Sequence, residues 1–175
     1  MAQLEADVRA AIRDIPDFPK PGIMFKDITP LLADAELFQR VTAAMADPFR
    51  GAGITHVVAI ESRGFLLGAP VAQALNAGLI PVRKPGKLPG KTASVEYALE
   101  YGTDRLEIHA DACDHAAKVL IVDDVLATGG TAKATAELVR GRGAAVSGFS
   151  FLLILSFLDG AKRLDGIPTR RVVEY

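Results

Sequence analysis

The chain of 175 residues has very little cysteine, no surplus of one charge and no long apolar run. Its single cysteine, Cys113, rules out an intrachain disulfide and fits a reducing cytosol. The three histidines, His56, His109 and His115, lack metal-ligand spacing, so one cysteine cannot build a zinc site with them. Twenty basic against 21 acidic residues, a net charge of −1, argue against general binding to nucleic acid or to a membrane surface. No apolar run reaches the roughly 20 residues of a membrane span, and no signal peptide is recognisable, so we expect a cytoplasmic protein.

The composition that is present indicates one folded domain over residues 1–175, because 50% of the residues are hydrophobic and 23% are charged. Hydrophobic patterns alternate between strands and helices, which predicts an α/β fold of three layers, a mainly parallel twisted sheet flanked by helices. Ligands of such sheets bind beyond the carboxyl ends of the strands. The predicted helices are 4–13, 35–45, 65–76 and 132–142, with a helical turn at 159–164. The predicted strands are 55–60, 79–83, 119–122, 145–155 and 171–173, with a hairpin of 95–101 and 104–108.

Residues 119–131 read Val-Leu-Ile-Val-Asp-Asp-Val-Leu-Ala-Thr-Gly-Gly-Thr, a buried strand followed by two carboxylates and a loop of small residues that leads into a helix. Backbone N–H groups at a helix N-terminus lack internal partners and favour an anion by about 0.3–1 kcal/mol. Gly129 and Gly130 allow a close approach of the backbone, and Thr128 and Thr131 add hydroxyl donors. The stretch therefore indicates a phosphate cradle formed by Ala127, Thr128, Gly129, Gly130 and Thr131.

The two carboxylates before this loop, Asp123 and Asp124, accept hydrogen bonds when they are ionised. A ribose 2′,3′-diol presents two adjacent donors, so the pair next to a phosphate cradle matches ribose 5-phosphate. The sequence contains neither a P-loop nor a Gly-x-Gly-x-x-Gly dinucleotide motif at this position. The alternative is a plain strand-to-helix turn in which Asp and Thr act as caps and Gly provides the bend.

A second strand–loop–helix unit follows the predicted strand 55–60 and reads Glu61-Ser62-Arg63-Gly64-Phe65. Its guanidinium, its hydroxyl and the helix N-terminal amides again suit an anion. The alternative is a surface loop in which Arg63 pairs with Glu61.

Residues 83–91 contain four basic residues, two prolines and two glycines and no acidic residue. Such a stretch does not pack as core, and most stretches of this kind are solvated loops. The alternative that we favour is a lid that closes over a polyanion and excludes water.

The N-terminal region, residues 1–34, combines a short amphipathic helix with a proline-rich stretch at 15–22 and the mixed segment 23–30. From residue types alone, the segment 23–30 is either a docking segment that packs Phe25 and Ile28 on the core or part of a binding site.

Together these segments resemble the type I phosphoribosyltransferases. The Ala-Thr-Gly-Gly-Thr form of residues 127–131, the loop 61–64, the basic stretch from residue 83 and Phe-Pro-x-Pro-Gly-Ile-x-Phe-Lys-Asp-Ile-Thr-Pro at 18–30 are similar to the members of the family that act on adenine. The resemblance implies transfer of ribose 5-phosphate from phosphoribosyl pyrophosphate to adenine, with Mg²⁺ bound through the pyrophosphate. It also implies a homodimer. Two alternatives stay open: a relative acting on hypoxanthine or xanthine, and a non-catalytic regulator that binds phosphoribosyl pyrophosphate.

The resemblance also implies roles for individual residues. Those near the pyrophosphate are Glu61, Ser62, Arg63, Gly64, Arg83, Lys87 and Tyr101, with a cis peptide between Glu61 and Ser62 and a mobile lid over 83–101. Arg63 and Lys87 would offset charge on the departing group, and Glu100 would handle a proton near purine N7. An N-terminal hood of Met24, Phe25 and Lys26 would contact adenine. Many relatives carry Arg at the position of Lys26, and the planar guanidinium of Arg is not equivalent to the compact ammonium of Lys.

Overall fold

The computed structural model of the protein describes residues 2–98 and 102–175. Its helices are α1 (Ala2–Ala11), α2 (Thr29–Ala33), α3 (Ala35–Ala46), α4 (Arg63–Leu75) and α5 (Gly130–Gly141), with short 3₁₀ helices at Asp47–Phe49, Ser156–Leu158 and Gly160–Arg163. Its strands are β1 (Arg13–Ile15), β2 (Phe25–Asp27), β3 (His56–Ile60), β4 (Gly78–Val82), β5 (Thr92–Ala98), β6 (Thr103–His109), β7 (Lys118–Leu126), β8 (Ala145–Ile154) and β9 (Thr169–Glu174).

The central sheet has five parallel strands in the order β4-β3-β7-β8-β9. Its inner strands are buried on both faces, which is why β7 reads as a continuous apolar run rather than an alternating one. One face packs against α1, α3 and α4, and the other packs against α5 and the hairpin of β5 and β6. The predicted three-layer α/β fold is confirmed. No helix in the described part of the chain is long and apolar enough to cross a membrane.

Several local predictions are confirmed at their key residues. Asp34 caps α3, because its side chain accepts a hydrogen bond from the Leu37 amide at 3.0 Å. The predicted hairpin forms, with Thr92 opposite His109 and Ala98 opposite Thr103. Residues 92–98 of the expected lid are therefore a paired strand, and the irregular part of the described lid is shorter, mainly 83–91.

Three features differ from the sequence prediction. The first helix ends at Ala11 rather than at residue 13, because Arg13–Ile15 pairs with Phe25–Asp27 to form a small antiparallel sheet. The helix α2 was not expected, and it accommodates its proline at the start, where no helical N–H is needed.

The third difference concerns the acidic pair, which lies within β7 rather than after it. The strand continues because β8 runs beside it beyond this point, with Asp123 opposite Phe151 and Val125 opposite Leu153. The two carboxylates are therefore held by a paired backbone.

Candidate active site

Loops from the carboxyl ends of β3, β4 and β7 meet at one edge of the central sheet, around a cavity of about 670 Å³. Its walls come from all three segments that the sequence singled out and from the hood: Phe25, Glu61, Ser62, Arg63, Lys84, Asp123, Asp124, Ala127 and Thr131 are among the lining residues. A smaller cavity of about 90 Å³, lined by residues 123 and 125–132, shares Asp123, Val125, Ala127 and Thr131 with the larger one. The arrangement suits a ligand with one large polar body and one small anionic end.

The small cavity has the features of an anion cradle. The cap residue of α5 is Gly129, at φ 81°, and no side chain of the described residues caps this helix. Its first main-chain hydrogen bond runs from the Lys133 amide to the Gly129 carbonyl at 3.0 Å. The amides that precede Lys133 therefore lack helical acceptors and lie where the helix dipole favours negative charge.

The acidic pair beside this cradle is largely withdrawn from water, and Asp124 is only 4% exposed. Burial and the neighbouring charge of Asp124 raise the pKa of Asp123 well above its ordinary value. Burial also raises the pKa of Asp124, although the Arg63 guanidinium opposes that rise with its Nε 2.8 Å from Asp124 Oδ2. Asp123 Oδ1 accepts the Asp124 amide at 2.8 Å. Negative charge on this pair is therefore unfavourable, and hydrogen-bond donors from a ligand would reduce its free-energy cost.

The loop at residues 61–64, whose Arg63 and Gly64 form the first residues of α4 rather than preceding the helix, contains the cis peptide between Glu61 and Ser62 that the resemblance implied. Gly64 packs against the acidic pair so closely that a Cβ there would lie 2.8 Å from Asp123 Oδ1 and 3.1 Å from the Val122 carbonyl. This glycine therefore brings the start of α4 into direct contact with β7 at the acidic pair, in addition to any role at a ligand.

Glu61 accepts three hydrogen bonds from the basic segment: from Arg83 Nε at 3.1 Å, the Lys84 amide at 2.9 Å and Lys87 Nζ at 2.7 Å. Burial raises its pKa, but these donors outweigh burial and lower the pKa below the ordinary value. The alternative in which Glu61 pairs with Arg63 is wrong, since Arg63 contacts Asp124 instead.

A chain of polar contacts that the sequence prediction missed links the basic segment to Thr131 in the small cavity. Lys84 Nζ lies 2.9 Å from Asp104 Oδ2, which accepts the Tyr97 hydroxyl at 3.2 Å, and Thr131 Oγ1 donates to the Tyr97 oxygen at 3.3 Å. Burial raises the pKa of the Asp104 carboxyl, but the hydrogen bond from Lys84 and others outweigh it and lower that pKa. Nothing in the local sequence indicated these partners, because Tyr97 is 34 residues from Thr131.

The three hood residues have different surroundings. Phe25 lines the large cavity, and the Arg63 guanidinium lies 4.7 Å from its ring centroid. Met24 is 51% exposed and is not among the cavity-lining residues described. The Lys26 ammonium lies 2.6 Å from Asp14 Oδ1 and 3.9 Å from the Tyr175 ring centroid, while the Lys26 carbonyl faces Arg63.

Two of the predicted residues, Glu100 and Tyr101, lie outside the described ranges 2–98 and 102–175.

Comparisons with known proteins agree with this geometry. A family model described as the phosphoribosyl transferase domain matches residues 28–165. A protein of Myxococcus xanthus named adenine phosphoribosyltransferase is 62% identical over 161 residues, 92% of this chain and 88% of that protein. A crystal structure of adenine phosphoribosyltransferase from Rhodothermus marinus matches with a TM-score of 0.96 and 50% identity over 100% of both chains. The Saccharomyces cerevisiae enzyme, complexed with an imino-altritol bisphosphate and adenine, matches with a TM-score of 0.92 and 38% identity over 98% and 99%. The chain therefore belongs to the phosphoribosyltransferase family, and within it to the adenine phosphoribosyltransferases.

Proposed function

We propose that the chain transfers ribose 5-phosphate from phosphoribosyl pyrophosphate to adenine, giving AMP and pyrophosphate. The observation that carries this proposal is the meeting of an anion cradle, a buried acidic pair and a basic loop system at one cavity of about 670 Å³. Adenine is the base named for the relatives at 62% and 50% identity. A panel of purine bases in a steady-state assay tests the choice, and preferred turnover of hypoxanthine or xanthine would reject it.

In this proposal the cradle of residues 127–131 holds the 5-phosphate and the acidic pair of Asp123 and Asp124 holds the ribose hydroxyls. The loop 61–64, with its Ser62 hydroxyl and amides, receives the pyrophosphate. As pyrophosphate leaves, carbon 1 of the ribose gains oxocarbenium character, and no protein nucleophile is needed. Holding the two reactants in line supplies about 7–11 kcal/mol of barrier reduction at most.

Cations of this site would offset the charge of the departing pyrophosphate. Arg63 lies between the acidic pair and Phe25. Glu61 pairs with Arg83 Nε at 3.1 Å and with Lys87 Nζ at 2.7 Å. Each cation is therefore ordered by a carboxylate before the substrate arrives, and a polyanion would compete with that carboxylate for it.

The base would bind beside Phe25, whose ring lines the cavity. In the proposed hood, Met24 offers backbone groups and Lys26 acts near the base. Because the Lys26 ammonium is paired with Asp14, its support for the base would come through the backbone of β2. Glu100 would relay a proton at the purine, with Tyr101 near the pyrophosphate.

We expect Mg²⁺ to bind at this site through the substrate rather than through protein ligands alone. Among the described residues, no group of three or more His, Cys, Asp or Glu side chains could hold a metal ion. Mg²⁺ favours phosphate and water oxygens with one or two carboxylates, and Asp123 and Asp124 supply such oxygens. When bound through phosphoribosyl pyrophosphate, the ion would neutralise part of its charge.

We also propose a homodimer in the cytoplasm. Leu66 of α4 is 51% exposed and Leu79 of the sheet-edge strand β4 is 44% exposed, which suits an interface between two copies. The cytoplasmic location rests on the single cysteine. Light scattering on the purified protein measures the assembly, and a monomer at micromolar concentration would contradict the dimer.

Asp124→Asn tests the diol assignment. We expect the KM for phosphoribosyl pyrophosphate to rise at least about tenfold, because the amide places a donor where a ribose hydroxyl must donate. Adenine binding to the free enzyme should change less than about twofold. Pyrophosphate release gives the first quantity and equilibrium dialysis gives the second. Asp111→Asn, at an exposed turn that follows β6, is the matched control. Equal losses of both substrates would contradict the assignment.

A further inference from the structure

The phosphate cradle touches the main chain of a distant segment, the 3₁₀ helix Gly160–Arg163. A Cβ built on Gly160 would lie 2.0 Å from the Ala127 carbonyl oxygen and 2.9 Å from the Gly129 nitrogen. In the opposite direction, a Cβ on Gly129 would lie 2.4 Å from the Gly160 carbonyl oxygen. Two stretches of bare backbone therefore meet with no room for a side chain on either.

The need for glycine differs between these two positions. Gly129 has a φ of 81°, so its conformation and its surroundings both favour glycine. Gly160 is not in the left-handed region, so alanine could adopt its backbone conformation without strain. At position 160 it is the contact with the cradle that excludes a larger residue.

The segment around Gly160 is anchored independently of the cradle. The Ser156 amide donates to the Tyr175 carbonyl at 2.8 Å, and Leu164, at the end of the 3₁₀ helix, is only 2% exposed. The cradle itself has no side-chain cap among the described residues. The anchored segment around Gly160 thus lies behind the cradle loop, which has few structural restraints of its own.

We propose that Gly160 is a positioning residue for the phosphate cradle. Its bare backbone sets the path of the chain at Ala127 and Gly129 and so directs the following amides toward the 5-phosphate. A Cβ at this position pushes the cradle toward its ligand space and misaligns those amides. This inference rests on the proposed function, because it takes residues 127–131 as the site of the phosphate.

Gly160→Ala tests the inference, with two matched glycine substitutions as controls. A Cβ on Gly148 would lie 2.3 Å from Phe49 Cε1, so Gly148→Ala perturbs packing comparably but away from the cradle. A Cβ on Gly141 would have no neighbour within 4 Å, so Gly141→Ala introduces the same methyl group in open space.

The readout is the ratio of the affinities for AMP and adenosine, which differ only by the phosphate, measured by calorimetric titration well below each variant's unfolding temperature. We expect Gly160→Ala to reduce this ratio at least about tenfold, while adenosine affinity changes less than about threefold. The KM for phosphoribosyl pyrophosphate should rise more than the KM for adenine. Gly148→Ala should lower the unfolding temperature and, like Gly141→Ala, leave the ratio within about twofold.

Thr131→Val separates failure of the inference from failure of the proposed function. If Thr131→Val reduces the ratio and Gly160→Ala retains it, the phosphate assignment stands and the role of Gly160 is refuted. If the wild type itself does not prefer AMP to adenosine, the proposed function fails. Should Gly160→Ala not fold, the wild type still tests the inference, because ribose 5-phosphate, unlike ribose, should slow hydrogen exchange in residues 156–164. Unchanged exchange there would contradict it.

Discussion

The two anion loops at the edge of the sheet follow parallel strands and begin helices, yet they are stabilised in opposite ways. The loop at 61–64 is rich in charge, and its Glu61 accepts hydrogen bonds from the Arg83 guanidinium, the Lys84 amide and the Lys87 ammonium. The loop at 127–131 lacks charged side chains, and backbone contacts with Gly160 define its path. The acidic pair between them is buried with raised pKa values.

This difference matches what each loop is proposed to do. A leaving group must be bound and released, and exchangeable ion pairs allow both. A 5-phosphate stays in place throughout the reaction, and a fixed set of amides suits it. The predictions below run from the largest expected effect to the smallest.

Arg63→Ala should have the largest effect, because Arg63 belongs to the first loop and contacts the acidic pair beside the second. We expect kcat to fall by about 10²–10³, the usual effect of removing one donor that stabilises transition-state charge. The pKa of Asp124 should rise further, since Arg63 opposes its rise. Arg140→Ala removes a half-exposed ion pair with Asp165 on the far end of α5 and serves as control. A loss of less than about threefold would contradict the role of Arg63.

Lys87→Ala should reduce kcat by about tenfold while the fold survives, because Glu61 retains Arg83 and the Lys84 amide. Single-turnover kinetics separate the chemical step from product release. Lys118→Ala, at the opposite end of β7, removes an exposed ammonium and should leave the rate unchanged. An unchanged rate in Lys87→Ala would mean that residues 83–91 are only a solvated basic loop.

Asp123→Asn should weaken substrate use yet stabilise the free protein. The raised pKa of Asp123 means that the folded state binds its proton more tightly than the unfolded state does. Stability is therefore lost as pH rises from about 3.9, the ordinary value, through the raised folded value. Replacement should increase the free energy of unfolding at pH 7 by about 1 kcal/mol, within the usual cost of an uncompensated buried polar group.

Urea unfolding at pH 7 measures the stability of both variants, and Asp104→Asn should give the opposite sign. Because the pKa of Asp104 is lowered in the folded state, this carboxylate stabilises the fold at pH values above its ordinary pKa. The contribution is lost as pH falls through the lowered pKa of the folded state. The Asp104→Asn variant should therefore be less stable than the wild type at pH 7. If both substitutions changed stability in the same direction, the contrast between the buried acidic pair and the ion-paired carboxylate of Asp104 would be wrong.

Local patterns in the sequence predicted most of the fold. Alternation of strand and helix patterns indicated the parallel sheet, and Asp34 marked the start of α3. The pairing of β1 with β2 was not predictable, because three-residue strands carry too few positions to establish a period.

The site was predicted less completely, since its charges are paired across the sheet. Arg63 looked like a partner for Glu61, two residues away, but β3 and β7 are neighbours and bring Arg63 to Asp124. Tyr97 and Gly160 act on the cradle from distant segments. A glycine whose only constraint is another segment's backbone leaves no local signal.

A crystal structure with AMP bound tests the central claim most directly. We expect the phosphate oxygens within hydrogen-bond distance of the amides of residues 128–131, and both ribose hydroxyls donating to Asp123 and Asp124. A nucleotide bound elsewhere, with the cradle vacant or filled by protein side chains, would contradict the assignment of the cradle and of the acidic pair.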